Sequence, residues 1–366
     1  MRPRQVLTLH GQVHYARALY ECPRCRHSYA PLDAELGLLP HDRMTTGVAK
    51  KVAYAGAHAS FPQAAKHLAH QLGLQVSSSE CHRVAQQWGA RLDAIQRQRE
   101  AAWISPASRN SRPAPAERSP ERVVVEADAT SALTQRGEEH KMVYCATAFG
   151  LEDRVEKEGG REILLERRYA ASGVDFEDFE TRFRALAARL DAHRAQGVAF
   201  VGDGAPCLWR LAEEYLPRAT VLIQDFWHVS EHLKDASRLV HGAEQAAASA
   251  FARWRLMLRE SHVEEILEEL RASARRLRGK RKGELQDEIN YLEKGQSRMD
   301  YARYRSEGWL IGSGAVEGTC KHLVKERYNV TGARWKRDNI PFVLALRLSI
   351  FNEEWEEDWQ DMRKTA

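Results

Sequence analysis

Two aspartates stand where a metal ion could be held. Asp128 ends the apolar run 122–128 and Asp203 follows the apolar run 198–201, and both runs predict buried strands. An unpaired charge at a sheet edge is costly to desolvate and neighbouring carboxylates repel each other, so a divalent cation would remove both conflicts. Mg²⁺ leaves positions for water and phosphate oxygens, and a pair of such ions serves phosphoryl transfer. Taken singly, each aspartate is equally consistent with a helix N-cap or a turn.

Glu317 is the natural third ligand. It falls in the first turn of a predicted helix behind the Gly-Ser-Gly segment 312–314, where Ser313 could cap the helix and the helix dipole favours an anion. Lys321 and Lys325 follow on the same face at four-residue steps, so they would lie beside a phosphate backbone that runs past the metal ions. The alternative is a solvated helix face with an ordinary Glu–Lys pair.

A basic cluster with one aromatic residue continues this region. Its members are Arg327, Arg334, Trp335, Lys336 and Arg337. Such a cluster suits nucleic-acid binding, and Trp335 suits stacking on an unpaired base.

An acid and an imidazole lie close together in the segment 225–228. Asp225 and His228 are one short turn apart, just after the last predicted strand of the core. His228 could orient a water bound to a metal ion or hold a phosphate. The alternative is a structural histidine that is bonded to a backbone carbonyl.

The elements that must position these side chains are those of an α/β core. Strands are predicted at 122–128, 142–148, 163–169, 198–201 and 221–223, with helices at 175–190 and 206–215. Three hairpin-connected strands followed by crossover strands is the order of a ribonuclease H-like core. Residues 229–305 show no strand pattern and predict a helical insertion. The basic run 275–282 inside it fits a solvated helix end or a DNA contact.

The N-terminal segment contains half of a zinc ribbon. Short strands are predicted around the motif Cys22-Pro23-Arg24-Cys25, and two thiolates at this spacing occupy adjacent corners of a tetrahedron. The chain contains no second CxxC pair. Zn²⁺ at Cys22 and Cys25 is therefore one interpretation, and a vestigial turn or a truncated ribbon is the other.

Residues 44–100 predict helices in a helix-turn-helix arrangement. Ser60 and Gln63 form one candidate capping box, Gly73 stops that helix, and Ser77 with Glu80 opens the next. The second helix is the candidate reader of the major groove. It carries Arg83, which we expect to contact DNA. Plain helix packing explains the same pattern equally well.

The composition limits the class of protein and the number of domains. The 366 residues are 43% hydrophobic and 29% charged, which is typical of a globular protein with two or three domains. The net charge of +4 is too small to indicate nucleic-acid binding by itself, and six cysteines are too few for a disulfide scaffold. Because no apolar run approaches the roughly 18 residues of a membrane span, we expect a cytoplasmic protein with no membrane partner.

Taken together, these motifs resemble DDE transposases of the ISKra insertion-sequence family, which are relatives of the Mutator-like transposases. The resemblance rests on the segments 202–205, 225–228 and 311–317 and continues through Lys321-His322, Arg327 and the segment 332–335. It reaches upstream to the strand that bears Asp128, and weakly to the Cys22–Cys25 motif with Pro31-Leu32-Asp33. Most of the chain is covered.

The resemblance implies a set of roles. Asp128, Asp203 and Glu317 match the catalytic triad that holds two Mg²⁺ or Mn²⁺ ions, and Asp225 with His228 matches an accessory motif near the active site. It also implies metal-dependent cutting and joining of DNA at element ends. The family usually has Gly after its first Asp, whereas Ala129 stands here, so Glu126 is a rival ligand. The family's zinc ribbon usually has an earlier Cys pair, which this chain lacks.

We therefore expect an insertion-sequence transposase that binds double-stranded DNA with terminal inverted repeats and a target DNA. It would act in the bacterial cytoplasm at the nucleoid, as a dimer or larger homo-oligomer. The alternatives are a catalytically silent DNA-binding regulator and a nuclease of the same fold. The expected organisation has six parts. They are a partial zinc-ribbon-like segment at 1–35, a helical DNA-binding domain at 36–103, a linker at 104–121, a catalytic domain in two pieces at 122–228 and 306–352, its helical insertion at 229–305 and a tail at 353–366.

Overall fold

The computed structural model describes residues 1–38, 42–105, 121–157, 161–164 and 166–364. Within the ranges 154–157 and 161–164 only the backbone is described. The expected linker 104–121 lies almost entirely outside the described residues.

The N-terminal segment folds as two small hairpins around one buried acid. Strands β1 (Arg2–Thr8) and β2 (Gly11–Arg17) pair antiparallel, β3 (Tyr20–Glu21) pairs with β4 (Ser28–Tyr29), and helix α1 (Pro31–Glu35) follows. Asp33 of α1 is buried and accepts hydrogen bonds from Arg4 and from the Tyr15 hydroxyl at 2.7 Å, with Arg17 at 2.9 Å. These bonds hold α1 against the first hairpin.

Three helices come next, as expected: α2 (Thr46–His58), α3 (Phe61–Leu72) and α4 (Ser78–Ile104). Gly73 ends α3 in the left-handed region at φ 65°. Ser77 caps α4 by accepting a hydrogen bond from the Glu80 N–H, which confirms that helix start. The predicted Ser60 cap is wrong, because the Ser60 hydroxyl donates to the Gln63 side chain and leaves the backbone uncapped.

A five-stranded mixed sheet forms the centre of the molecule. Its strands are β5 (Arg122–Ala132), β6 (Lys141–Gly150), β9 (Arg168–Ser172), β10 (Gly197–Gly202) and β11 (Val221–Gln224). The order across the sheet is β11-β10-β5-β6-β9, in which β5, β6 and β9 are antiparallel neighbours and β10 and β11 run parallel to β5. The α/β class is confirmed.

Two strand boundaries differ from the expectation. Strand β5 continues past Asp128 to Ala132, because its partner β6 is ten residues long and the ladder between them holds ten residue pairs. The strand predicted at 163–169 is divided between two elements. Its start belongs to a separate hairpin of β7 (Arg154–Lys157) and β8 (Arg161–Leu164), and its end begins β9.

Each face of the sheet is covered by helices. Alternate residues of β5 point to opposite faces, so Val123 and Val125 pack under α5 (Phe176–Arg189) and α6 (Pro206–Tyr215), whereas Val124 packs against the helical insertion. Glu126 and Asp128 share the face of Val124. Their side chains therefore point toward the insertion side of the sheet.

The insertion is helical throughout its described length, as expected. It consists of α7 (Phe226–His241), α8 (Glu244–Arg259), α9 (Val263–Ala274), α10 (Gly279–Gly295), a short 3₁₀ turn and α11 (Tyr301–Ser306). Tyr301 and Trp254 are among its largest buried side chains. Of the helices in the described ranges, none combines the length and apolarity that crossing a membrane would require.

The C-terminal part returns to the sheet. Helix α12 (Gly314–Thr319) runs into a π-helical turn (Cys320–Lys325) and a short α13 (Glu326–Tyr328), followed by α14 (Ile340–Phe351). The expected tail at 353–366 is instead mostly helix α15 (Trp355–Lys364), whose Trp359 stacks on Trp88 of α4. The apolar side of α15 buries both Trp355 and Trp359, which is why this stretch is ordered.

Helices α4 and α14 make the closest helix contact in this region. A Cβ atom added at Gly89 of α4 would lie 2.2 Å from the carbonyl oxygen of Phe342 in α14. Helices α2 to α4 thus share one hydrophobic core with α12 to α15. The helical N-terminal unit is packed directly on the C-terminal helices.

We expect Gly89→Ala to lower the free energy of unfolding by about 2 kcal/mol or more, because the new methyl group must displace backbone. Gly283→Ala is the matched control, since this glycine also lies within a helix and its added Cβ would meet nothing within 4 Å. The control should be neutral or stabilise by about 0.5–1 kcal/mol. Urea unfolding measures both, and equal stability of the two variants would contradict the close approach.

Candidate catalytic carboxylates

Asp128 projects from a part of β5 that has no partner on one side. The parallel ladder with β10 ends at the pair Glu126–Val201, and on the other side Asp128 lies opposite Cys145 of β6. Its Oδ1 accepts a hydrogen bond from the Ala129 N–H at 2.6 Å. Burial raises the pKa of the Asp128 carboxyl, and the charge of Asp203 raises this pKa as well.

Asp203 occupies the turn that follows β10. Asp203 lies two residues beyond the last pair of the β10–β5 ladder, Val201 with Glu126, and its charge acts on Asp128. Its Oδ1 accepts from the Ala205 N–H at 3.0 Å, and its carbonyl oxygen accepts from the Tyr291 hydroxyl at 2.7 Å. Gly204 has φ +114°, and an added Cβ would lie 2.6 Å from the Gln224 side-chain nitrogen. This turn therefore requires glycine at position 204.

Glu317 is exposed in the first turn of α12, and a buried acid fixes that helix. The Val316 N–H donates to Glu126 Oε2 of β5 at 2.7 Å, across 190 residues of sequence. The expected Ser313 cap is wrong, because its side chain makes no cap bond to α12. Glu126 caps the helix instead, and burial raises the pKa of its carboxyl to about 8.

Asp225 fixes the segment that leads into α12. It is fully buried and accepts hydrogen bonds from both the N–H and the hydroxyl of Ser313. It also accepts from the His228 N–H at 2.7 Å, which caps the start of α7. The backbone N–H of Asp225 donates to the carbonyl of Gly202 at 2.8 Å, so one residue joins β10, α7 and the Glu317 helix.

His228 lies at the same end of the sheet. Its side chain is 42% exposed, and its Nδ1 is 3.9 Å from a carboxylate oxygen of Glu231. Burial raises the pKa of Glu317, the charges of Asp225 and Asp128 also raise it, and a positive charge on His228 lowers it. The structure therefore brings His228 within electrostatic reach of Glu317.

A network from the insertion supports Asp203. Besides donating to the Asp203 carbonyl, the Tyr291 hydroxyl of α10 accepts from the Gln224 amide at 2.7 Å. His232 of α7 stacks on the Tyr291 ring at 3.6 Å and pairs with Glu288 at 2.6 Å. Sequence reasoning missed Tyr291, because no motif ties residue 291 to residue 203.

The carboxylates of Asp128, Asp203 and Glu317 come from separate elements, and Asp128 interacts electrostatically with each of the other two. Their negative charges repel each other, because the charge of Asp203 raises the pKa of Asp128 and the charge of Asp128 raises the pKa of Glu317. In the part of the chain that the structure describes, no three acidic, imidazole or thiol side chains already lie together as a metal-holding group. The oxygen donors themselves suit Mg²⁺ or Mn²⁺. A cation would relieve their repulsion.

Two buried thiols border Asp128. Cys320, in the π-helical turn, lies with its Sγ 3.7 Å from Asp128 Oδ2, and Cys145 is the cross-strand neighbour of Asp128. A hydrogen bond with Cys145 raises the pKa of the Cys320 thiol. Cys320 is therefore an uncharged neighbour of the candidate metal ligand.

The basic residues divide into an exposed and a buried group. Lys321, Lys325, Arg334 and Lys336 are exposed, and Arg337 is half-buried. They lie downstream of Glu317 on the π-helical turn and the loop after α13. These five side chains remain available to a phosphate backbone.

Arg327 and Trp335 do not reach the surface, which corrects their expected exposure to DNA. Arg327 is 3% exposed and Trp335 is 6% exposed. The Arg327 guanidinium lies 4.6 Å from the ring centroids of both Phe61 and Trp335, and it donates to the carbonyl of Gly56 at 2.9 and 3.0 Å. The pair joins the N-terminal helices to the Glu317 helix.

The N-terminal candidates are exposed. Cys22 and Cys25 are free thiols on the β3–β4 turn, and the backbone N–H of Cys25 lowers the pKa of the Cys22 thiol. Arg83 is exposed on α4 and pairs with Glu80 at 2.6 Å and Gln87 at 2.8 Å. These residues lie on the N-terminal hairpin and helices, whereas the carboxylates lie on the central sheet and α12.

We expect the stability difference between the protein and its Glu126→Gln variant to depend on pH. The folded-state pKa of Glu126, about 8, lies above the usual 4.5, so the folded protein keeps a proton that the unfolded chain loses. The contribution of Glu126 to the free energy of unfolding is therefore greatest below about pH 4.5 and falls as pH rises to about 8. The amide introduced by the substitution cannot titrate.

Urea unfolding from pH 5 to 9 in the presence of a chelator measures this difference. The control is Glu326→Gln, which replaces an exposed carboxylate that pairs with His322 in the same helical stretch. A pH-independent difference for Glu126→Gln would contradict the buried, protonated carboxyl.

Nearly the whole chain matches one family model. The match covers residues 1–361, which include the N-terminal hairpins, the central sheet, the helical insertion and helices α12 to α14, and the model is described as Uncharacterised protein family (UPF0236). A comparison with curated proteins gives no match. Because the model spans far more than half of the sequence, the chain belongs to the UPF0236 family.

Proposed function

We propose that this protein is an insertion-sequence DNA transposase of the DDE type with a ribonuclease H-like catalytic core. The observation that carries the proposal is that the Asp128 carboxylate of β5 interacts electrostatically both with Asp203, in the turn after β10, and with Glu317 of α12. The strand order supports it, because three antiparallel strands followed by two parallel crossover strands match the order expected for that core. The helical insertion between Asp203 and Glu317 fits the same proposal.

Asp128, Asp203 and Glu317 would hold two Mg²⁺ or Mn²⁺ ions. When bound, such ions activate an attacking oxygen and stabilise the leaving oxygen of a phosphodiester. In the first step, water attacks the phosphorus at the element end, the 3′ oxygen leaves and takes a proton, and a free 3′-hydroxyl results. In the second, that hydroxyl attacks a target phosphodiester, so one P–O bond forms as another breaks.

The other residues act by position and charge. Glu126 and Asp225 fix the helix of Glu317 against β5 and α7, and this is their role in the proposal. His228, whose charge acts on Glu317, would donate a ring N–H to a phosphate oxygen. Lys321, Lys325, Arg334, Lys336 and Arg337 would bind the backbone, and such contacts make affinity depend on salt.

Helices α2 to α4 would bind the terminal inverted repeats, with Arg83 at the exposed start of α4. Zn²⁺ would be held by Cys22 and Cys25 together with ligands from elsewhere, since two thiolates fill only half of a tetrahedral site. A homo-oligomer at the bacterial nucleoid would bring two element ends together.

The test is a cleavage and joining assay with Mg²⁺ or Mn²⁺ and DNA that carries the ends of the encoding element. We expect Asp203→Asn and Glu317→Gln each to lower product formation at least about 100-fold while DNA binding is kept, because each removes a metal-binding carboxylate. Glu326→Gln is the matched control, since this exposed carboxylate pairs with His322.

Unchanged strand transfer by Glu317→Gln would overturn the proposal. Tight binding of element ends by the unmodified protein without cleavage would indicate the silent regulator. Nicking without joined products would indicate a nuclease.

We further expect Tyr291→Phe to raise the Mg²⁺ concentration needed for half-maximal cleavage about tenfold, because the lost hydroxyl no longer holds the Asp203 turn. Tyr215→Phe is the control, since this hydroxyl bonds Glu180, which lies on α5. A metal requirement that is unchanged in Tyr291→Phe would contradict a positioning role for this tyrosine.

A further inference from the structure

An open cavity of about 700 Å³ lies between α7, α8, α11 and the segment 309–311. Its walls are mostly apolar and aromatic, and Phe226, Trp227, Phe251 and Trp309 contribute to them. This size is within the usual range for a ligand site. None of the residues expected from sequence to bind DNA lines it.

Trp227 is the unusual residue of this cavity. Trp227 is 54% exposed, which is more than any other tryptophan in the described chain. The Arg255 guanidinium lies 4.7 Å from its ring centroid. An exposed indole costs free energy in water, so a flat partner that covers it would gain apolar burial and stacking.

Arginines give the cavity a positive rim. Arg255, Arg259 and Arg305 line it, and Arg305 lies 3.5 Å from a carboxylate oxygen of Glu260. Within the described residues, Arg255 and Arg259 form no ion pair with a carboxylate. Guanidinium groups of this kind bind phosphate. The cavity therefore combines a stacking platform with anion-binding side chains.

The cavity adjoins the candidate catalytic site. Trp227 follows Asp225 by two residues, and a Cβ atom added at Gly312 would lie 2.7 Å from the Trp227 ring and 3.9 Å from Asp225 Oδ2. Ile311, another lining residue, accepts a hydrogen bond from the Phe226 N–H at 2.8 Å. The cavity therefore lies beside Asp225 and the segment that leads into α12.

We propose that the cavity holds one unpaired nucleotide of DNA, with its base stacked on Trp227 and its neighbouring phosphates bound by Arg255 and Arg259. The inference rests on the proposed function for bringing DNA to this place. A nucleotide must leave its duplex to reach the cavity, and this is cheapest for a base that is already unpaired. The protein should therefore prefer DNA with an unpaired base, even when no reaction occurs.

The experiment uses the full chain in the presence of a chelator, so that binding is measured without cleavage. The probes are a duplex with one extrahelical 2-aminopurine and the same duplex with that base paired. We expect the protein to bind the extrahelical probe about tenfold more tightly and to quench its fluorescence. Trp227→Ala should lose the preference and the quenching but keep its affinity for the paired duplex, and Trp227→Phe should keep most of both.

Two arginine variants complete the design. Arg255→Ala should weaken binding of the extrahelical probe several-fold, because it removes a phosphate contact. Arg253→Ala is the matched control on the same helix, since its guanidinium pairs with Glu269 at 2.5 and 2.6 Å. This control should leave the preference unchanged.

The outcomes separate this inference from the proposed function. Equal affinity for both probes, or an undiminished preference in Trp227→Ala, overturns the nucleotide site even if the protein cuts and joins DNA. That result would leave the cavity to a protein partner. A preference that depends on Trp227 supports the nucleotide site, even if no cleavage is found with element ends.

Discussion

Two buried acids hold the helix that presents Glu317. Glu126 binds the helix start from the central strand, and Asp225 binds the preceding Ser313 from the start of α7. Backbone N–H groups at a helix start have no partners within the helix, so a buried acceptor is needed where water is excluded. These two contacts fix the start of α12, and with it Glu317, against β5 and α7.

A second set of polar contacts joins the N-terminal helices to the same region. Arg327 donates to the carbonyl of Gly56, and Arg347 donates to the carbonyls of Ala57 and Leu323, the latter in the π-helical turn. Both arginines are buried with backbone oxygens as acceptors, and burial lowers the pKa of each guanidinium. A buried charge with such partners tolerates little displacement. These contacts therefore hold the N-terminal helices in a fixed position relative to the π-helical turn and α13, which follow Glu317.

The sequence was most informative where periodicity and local signals agree. The helix at 206–215, four of the five strands of the sheet and the cap at Ser77 could be predicted, because each depends on neighbouring residues. Contacts between residues that are far apart in the sequence could not be predicted. The cap from Glu126 to Val316 spans 190 residues, and the burial of Arg327 depends on Phe61 and Trp335. Residue type alone does not distinguish a buried guanidinium from one that faces DNA.

The spacing of Glu126 and Val316 along the chain has a consequence for biosynthesis. The ribosome synthesises the strands of the sheet and the insertion before it synthesises α12. At the usual rate of roughly 5–20 residues per second, the nascent chain therefore contains Asp128 and Asp203 for many seconds before Glu317 is added. Because α14 is synthesised late, the surface of α4 against which it packs also stays uncovered until then. A product that terminates within the insertion would keep the N-terminal helices and both aspartates but lack the helix of Glu317. Such a fragment would also leave the apolar faces of α2 to α4 uncovered, because the core that they share with α12 to α15 would be missing.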